Sequence, residues 1–415
     1  MLGTLLNAQQ TKDAPKQDSE FTFKSGVNVV LVPVVVRDKQ NRTVGNLKKE
    51  DFQVFDRGKQ QVISGFAIQK RIQFKNNLPP ASSAPGPFQV IPQWAATPDR
   101  FIVFLFDDLH LAVDNLLQAQ KAANRMLAES LLPSDMAAVV SLSGTNTGLT
   151  QDRSILQQAV MKLHARGIYQ QVESDCPNID YYQADLIQNK HNTTALEAAI
   201  QSATSCAKFD THGMAERMVE AAAARALAIG DQDVRVTLSG ITDVVRGMGS
   251  LPGQRVLILI SPGFLTMAQE AMTTKSRIMD IAAQASVTVS ALDARGLYTT
   301  ELDASQRGAG STYDLVTGSK SEYHRSSMTL NENVMAELAD GTGGTFFHNS
   351  NDLEGGFKKL TEAPEYLYLL EFSPKDVKQD GSYHALKVKV NQDGLKLQAR
   401  RGYFAEKPSK KTPGH

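Results

Sequence analysis

The sequence predicts an α/β protein: a doubly wound, mostly parallel sheet inserted into a β-rich, sandwich-like module that the N- and C-terminal segments form together. Three observations predict it. Continuous apolar runs of strand length alternate with helical stretches between residues 99 and 355, the mark of a parallel sheet covered on both faces. Short β-rich runs occupy both ends of the chain. The composition, 41% hydrophobic and 21% charged over 415 residues, supports two or three domains of about 150 residues each.

In chain order, Val27–Val36 (VNVVLVPVVV) is a dense β-branched strand, and Pro33 within it favours an edge position or a bulge. Shorter strands follow at Gln53–Asp56 and Gln61–Ala67, joined through the turn Asp56-Arg57-Gly58-Lys59. Residues 21–75 thus form the first half of the β module. Residues 76–98 hold six of the sixteen prolines and read as a linker.

The α/β unit, 99–355, opens with the strand Phe101–Phe106 and a helix over Asn115–Leu132. A strand at Ala137–Leu142 and a helix from Ser154 to Leu163 come next. Two separate helices are expected at Met214–Ile229 and Val234–Met248, then the strand Val256–Ile260, a helix over Ser276–Ala285 and the strand Val287–Leu292. A helix Glu332–Ala339 closes at Gly341, before a short strand Gly344–Phe347. Two segments interrupt the alternation: 164–212, which carries both cysteines and a helical stretch Thr194–Ala207, and the polar segment 298–331. Both exceed ordinary loop length. Residues 361–405 supply the second half of the β module through Tyr366–Phe372, Tyr383–Val390 and Leu395–Tyr403, and 406–415 read as a disordered tail.

Forty-four basic residues balance forty-four acidic ones and the pI is near 7.1, which argues against a nucleic-acid partner. No apolar stretch is long enough to span a membrane. Residues 1–20 read either as the remnant of a secretory leader or as a disordered end. The sequence contains no His-Glu-x-x-His, no Gly-x-Ser-x-Gly and no Walker loop, so no enzyme is expected. The eight histidines stand singly and read mostly as surface residues.

FLFDDLHL at 104–111 and LILISPGF at 257–264 resemble the strand ends of a von Willebrand factor A domain. VVLVPVVVRDKQNRTVGNLKKEDFQVFDRGKQQVISGF near the front, with LADGTGGTFFHNSNDLEGGFKKL and KLQARRGYF near the back, resembles a VWA-related bacterial family typical of Acidobacteria, which has no established activity. The resemblance spans Phe21 to Phe404. It implies a metal-ion-dependent adhesion site at the carboxyl ends of the strands, where oxygen ligands hold a divalent cation. Asp107 stands where the first Asp of that site belongs, but its two serines are replaced by Leu109 and Leu111. The Ser-Asp-Gly turn reads Ser261-Pro262-Gly263, and the distant threonine falls in the cysteine-bearing segment, where Thr211 is a weak candidate. The site is degenerate.

The expected function is therefore a non-enzymatic binding module, without a cofactor, that presents a rim of Asp107, Asp108, His110, Ser261, Gly263 and Arg295 to a protein or glycan partner. The alternative is a cation-dependent adhesion domain in which Asp107, Asp108 and Asp293 hold Mg, Ca or Mn. Cys176 and Cys206, 30 positions apart, either form a disulfide or remain two buried thiols. A disulfide would place the protein outside the cytoplasm, exported to a periplasmic or extracellular compartment.

Overall fold

The computed structural model describes residues 29–40, 42–70, 100–167, 176–207, 211–251, 254–285, 287–297, 318–361, 364–374 and 382–405. The leader segment 1–20, the proline-rich linker 76–98, residues 298–317 of the polar segment and the tail 406–415 lie outside the described residues.

A five-stranded, all-parallel sheet forms the centre, in the order β6-β5-β7-β8-β9. Its strands are β5 (Arg100–Phe106), β6 (Asp135–Ser141), β7 (Gln254–Ser261), β8 (Val287–Asp293) and β9 (Phe346–Phe347). Every residue of β5 and β8 is buried, which explains the continuous apolar run Phe101–Phe106 in β5 and why the polar residues within β8, Thr288 and Ser290, are small ones. Successive side chains point to opposite faces. Ile102, Phe104 and Phe106 share one core cluster with residues of α1 (Val113–Glu129), α2 (Arg153–Met161) and α8 (Leu353–Thr361). Val103 and Leu105 share the opposite cluster with α5 (His212–Gly249), α6 (Gln269–Gln284) and α7 (Ser319–Thr342). At the start of β5 the buried Arg100 donates to Asp135 at 2.8 Å and to the Thr361 carbonyl at 2.8 Å, joining the first strand to the last helix.

Three elements of the α/β unit differ from the sequence expectation. The two helices expected at 214–229 and 234–248 are one helix of 38 residues, α5. Gly230 sits in the middle of it and leaves room for Tyr181, whose ring carbon lies 2.2 Å from where a β-carbon would stand. The glycine therefore serves close packing there and does not end the helix. The helix expected to start at Glu332 begins at Ser319, so part of the polar segment 298–331 is helical; α7 ends on Gly343 in the left-handed region at φ 76°. Helix α8 runs through residue 355 to Thr361, and Phe357 and Leu360 lie in the α/β core.

The cysteine-bearing segment is helical as well. Helices α3 (Tyr181–Gln188) and α4 (Thr193–Ala207) lie against the first half of α5, and alanines at 184, 195, 199, 203, 215 and 223 allow the close approach. A disulfide joins Cys176, ahead of α3, to Cys206 in the last turn of α4.

Two four-stranded antiparallel sheets make the β module, ordered β12-β1-β10-β4 and β13-β11-β2-β3. Each combines strands from the front, β1 (Val30–Arg37), β2 (Phe52–Asp56), β3 (Lys59–Gln61) and β4 (Ile63–Lys70), with strands from the back. The latter are β10 (Tyr366–Phe372), β11 (Tyr383–Val390), β12 (Lys396–Ala399) and β13 (Gly402–Phe404). The turn between β2 and β3 takes positive φ at Arg57 (47°) and Gly58 (80°), as a two-residue hairpin of right-handed twist requires.

Strand β1 lies between two neighbours and is not an edge strand. β12 pairs only with Val34–Arg37, so the ladder on that side starts beyond Pro33. Both faces of β1 are buried. Val32, Val34 and Val36 point into the core between the sheets, while Leu31 and Val35 meet Ala283 of α6. That second contact accounts for a continuous apolar run within an antiparallel sheet.

The run expected as one strand at 395–403 splits at Arg400, with β12 in one sheet and β13 in the other. Arg400 is buried and bonds Asp280 of α6, the Gly402 carbonyl at 3.0 Å and the Leu31 carbonyl at 3.4 Å, and so joins the β module to the α/β unit. No helix among the described residues is long and apolar enough to cross a membrane.

Candidate functional site

A parallel sheet delivers its strand ends to one rim. The ends of β5, β7 and β8 place Asp107, Ser261 and Asp293 there; Asp107, Asp108 and Asp293 are all buried, at 0%, 1% and 2% exposure. These carboxylates neither cap a helix nor turn into solvent. Each is held by a partner inside the protein.

Asp107 lies at the centre. Its carboxylate accepts from the Ser261 hydroxyl at 2.6 Å and lies 2.8 Å from His110 Nδ1, three residues on. Ser261 Oγ accepts in turn from the Gly263 amide at 2.9 Å. His110 Nε2 stands 2.8 Å from Asp233 Oδ2, in the middle of α5. Burial opposes the charged imidazole, but the carboxylates of Asp107 and Asp233 outweigh it and push its pKa up to about 10. His110 is therefore an imidazolium between two carboxylates, and its ring stacks on Phe264 with centroids 5.7 Å apart.

Gly263, at φ 85°, adopts a backbone conformation that L side chains rarely take. A β-carbon there would lie 2.3 Å from the Asn331 carbonyl of α7. The glycine thus sets how closely α7 approaches the rim.

The two flanking acids are engaged separately. Asp108 accepts from the amide and hydroxyl of Ser143, just beyond β6. Asp293 takes a bidentate guanidinium from Arg295, with Nε at 2.9 Å and Nη2 at 2.6 Å. Arg295 also lies 3.7 Å from Glu332 and bonds Met328 Sδ at 3.1 Å, both on α7.

Asp107, Asp108, His110, Ser261, Gly263, Asp293 and Arg295 all stand at or just beyond strand ends. The three acids do not converge. Among the described residues no group of three or more His, Cys, Asp or Glu is placed to hold a metal ion. Leu109 and Leu111 are buried, the latter in the sheet's core cluster. Thr211 is exposed at the N-cap of α5, about 33 Å along the helix from Asp233 at 1.5 Å per residue, too far to join the rim.

Ser261 donates to Asp107 and not to the imidazole, and both imidazole nitrogens face carboxylates. No nucleophile–base pair results from this arrangement. Sequence reasoning missed Asp233, Ser143 and Glu332. No motif marks them, because their places depend on helix packing and on a turn beyond β6. Most histidines were expected at the surface, and His164, His191, His212 and His348 are exposed there; His110, largely buried, and His384, 5% exposed, depart from that expectation. No known family model and no curated protein matches this sequence.

Proposed function

We propose that this chain is an exported, non-enzymatic binding module of von Willebrand factor A type, inserted into its β module, that presents the carboxyl-end rim to a protein or glycan partner without a metal. One observation carries the reading. The His110 imidazolium lies between Asp107 and Asp233, with the Ser261 hydroxyl on the same Asp107 carboxylate. Its fixed positive charge occupies the oxygen set on which an adhesion-site cation would depend. The Asp293–Arg295 pair repeats the device at the next strand end. The Cys176–Cys206 disulfide agrees with an oxidising compartment.

Calorimetric titration with Mg2+, Ca2+ and Mn2+ tests the metal-free rim. The expected result is no saturable heat with the wild type and the same with Asp107→Ala. A saturable heat that Asp107→Ala removes would transfer the function to a cation-dependent site at Asp107, Asp108 and Asp293. The choice of surface is tested with two exposed apolar residues, Leu297 beside the rim (58% exposed) and Val62 in the β module (72% exposed). Retention on an envelope fraction should be lost in Leu297→Glu and kept in Val62→Glu; the reverse would move the binding face to the β module.

A further inference from the structure

We propose that the cleft between the α/β unit and the β module is a second binding site, and that it takes a small carboxylate carried on an apolar body. The cavity measures about 440 Å³ and is lined from α6, α7 and the strands β11 and β13. It shares no lining residue with the rim. A volume of this size, between two packed units, suits a small ligand.

The lining divides by chemistry. Met272, Met279 and the ring of Tyr383 form an apolar wall, while Lys275, Arg401 and Glu337 supply charge. Gly402 shapes that wall: the Tyr383 hydroxyl lies 2.2 Å from where a β-carbon would stand, so the ring lies down against the paired strand.

Lys275 is the residue that points to a ligand. An ammonium has three N–H donors, yet Lys275 is 8% exposed and its acceptor among the described residues is Glu337, at 2.6 Å. A buried cation with donors to spare is costly unless a further acceptor arrives. Arg401 stands at the mouth, 3.7 Å from Asp340. Lys275 and Arg401 outnumber the single lining carboxylate, Glu337. A ligand carboxylate would complete the shell of Lys275 and its body would cover the methionines. A free metabolite and the C-terminus of a peptide share this chemistry.

Ligand-observed NMR titration of the full chain separates them. The probes are phenylacetate, its neutral counterpart phenylacetamide, and the peptide Ala-Ala-Phe with a free or an amidated C-terminus. Phenylacetate should saturate, and phenylacetamide should bind about tenfold or more weakly, the usual loss when a charged hydrogen bond is removed. Lys275→Met, with its fold checked by circular dichroism, should abolish saturation; Arg401→Gln should weaken it about threefold. If Lys275→Met does not fold, Met272→Trp, which fills the cleft from its apolar side, decides in its place. Tighter binding of the free peptide than of phenylacetate marks a chain terminus as the ligand, and the reverse marks a small acid. The proposal is overturned if neither carboxylate saturates, if the amides bind as well as the acids, or if binding survives the lysine or cleft-filling variant.

Discussion

Two aspartate–histidine pairs occupy the two halves of this molecule, and they have little in common beyond their atoms. In the α/β unit Asp107 and His110 are three residues apart, at one strand end, and a second carboxylate from α5 holds the outer ring nitrogen. In the β module Asp56 and His384 are 328 residues apart, at 3.0 Å, and the third member is the Tyr403 hydroxyl, 2.9 Å from Asp56. The first pair fixes a charge at the strand-end rim of the sheet. The second joins the front and back of the chain inside a core, where a neutral phenol completes the shell of the carboxylate. The same contact serves electrostatics in one place and closure in the other, and the third partner decides which.

The sharpest way to break this contrast is Asp56→Ala. It strands the buried His384 and Tyr403 together, and it should destabilise the β module by about 4 kcal/mol. Hydrogen exchange should then rise in β2, β11 and β13 while the parallel sheet stays protected; equal loss in both units would show that they do not differ as described.

A second effect, comparable in its upper bound, is expected from alkaline pH on the rim. His110 is held at about 10, above its ordinary 6.5, so the folded protein binds that proton more tightly than the unfolded chain. The stabilisation is complete below pH 6.5 and is lost as pH rises toward 10, with a slope of at most about 1.4 kcal/mol per pH unit for one proton. Thermal melts across that window should show the decline, and His110→Gln should flatten it. The smallest effect is expected of Tyr403→Phe, which removes one hydrogen bond to Asp56 and should lower stability by about 1–2 kcal/mol in urea unfolding. A loss as large as that of Asp56→Ala would mean that the phenol, and not the carboxylate, holds the cluster together.

The parallel sheet was legible because β5 and β8 are buried along their whole length, so apolar residues dominate both and the polar positions inside β8 are only the small Thr288 and Ser290. The positions of Asp107 and Asp293 were legible too: a parallel strand that runs up to Asp107 or ends at Asp293 delivers that residue to the end of the sheet. The start of α7 was not legible. SKSEYHRSSMTLN, at 319–331, has no apolar stripe, and its role is set by partners such as Arg295 and the backbone at Gly263. The continuity of α5 was hidden by Gly230, whose reason is the ring of Tyr181, 49 residues earlier. Asp233 was hidden by that same misreading, since a break between two helices gives no cause to look for a site residue beside it.

The pairing of Lys70 with Tyr366 in the β module has a consequence for the order of assembly. The chain leaves the module at one of these residues and comes back at the other, with the whole α/β unit made in between. During synthesis the front strands β1 to β4 emerge first, yet their partners β10 to β13 emerge last. The front half must therefore wait, with its valine-rich strand exposed, through the making of roughly 300 residues, or about 15–60 s at ordinary elongation rates. The α/β unit can fold in that interval, so strands made before it are among the last to be completed. An agent that shields Val30–Val36 during that delay should raise the yield of folded protein more than one directed at the parallel sheet.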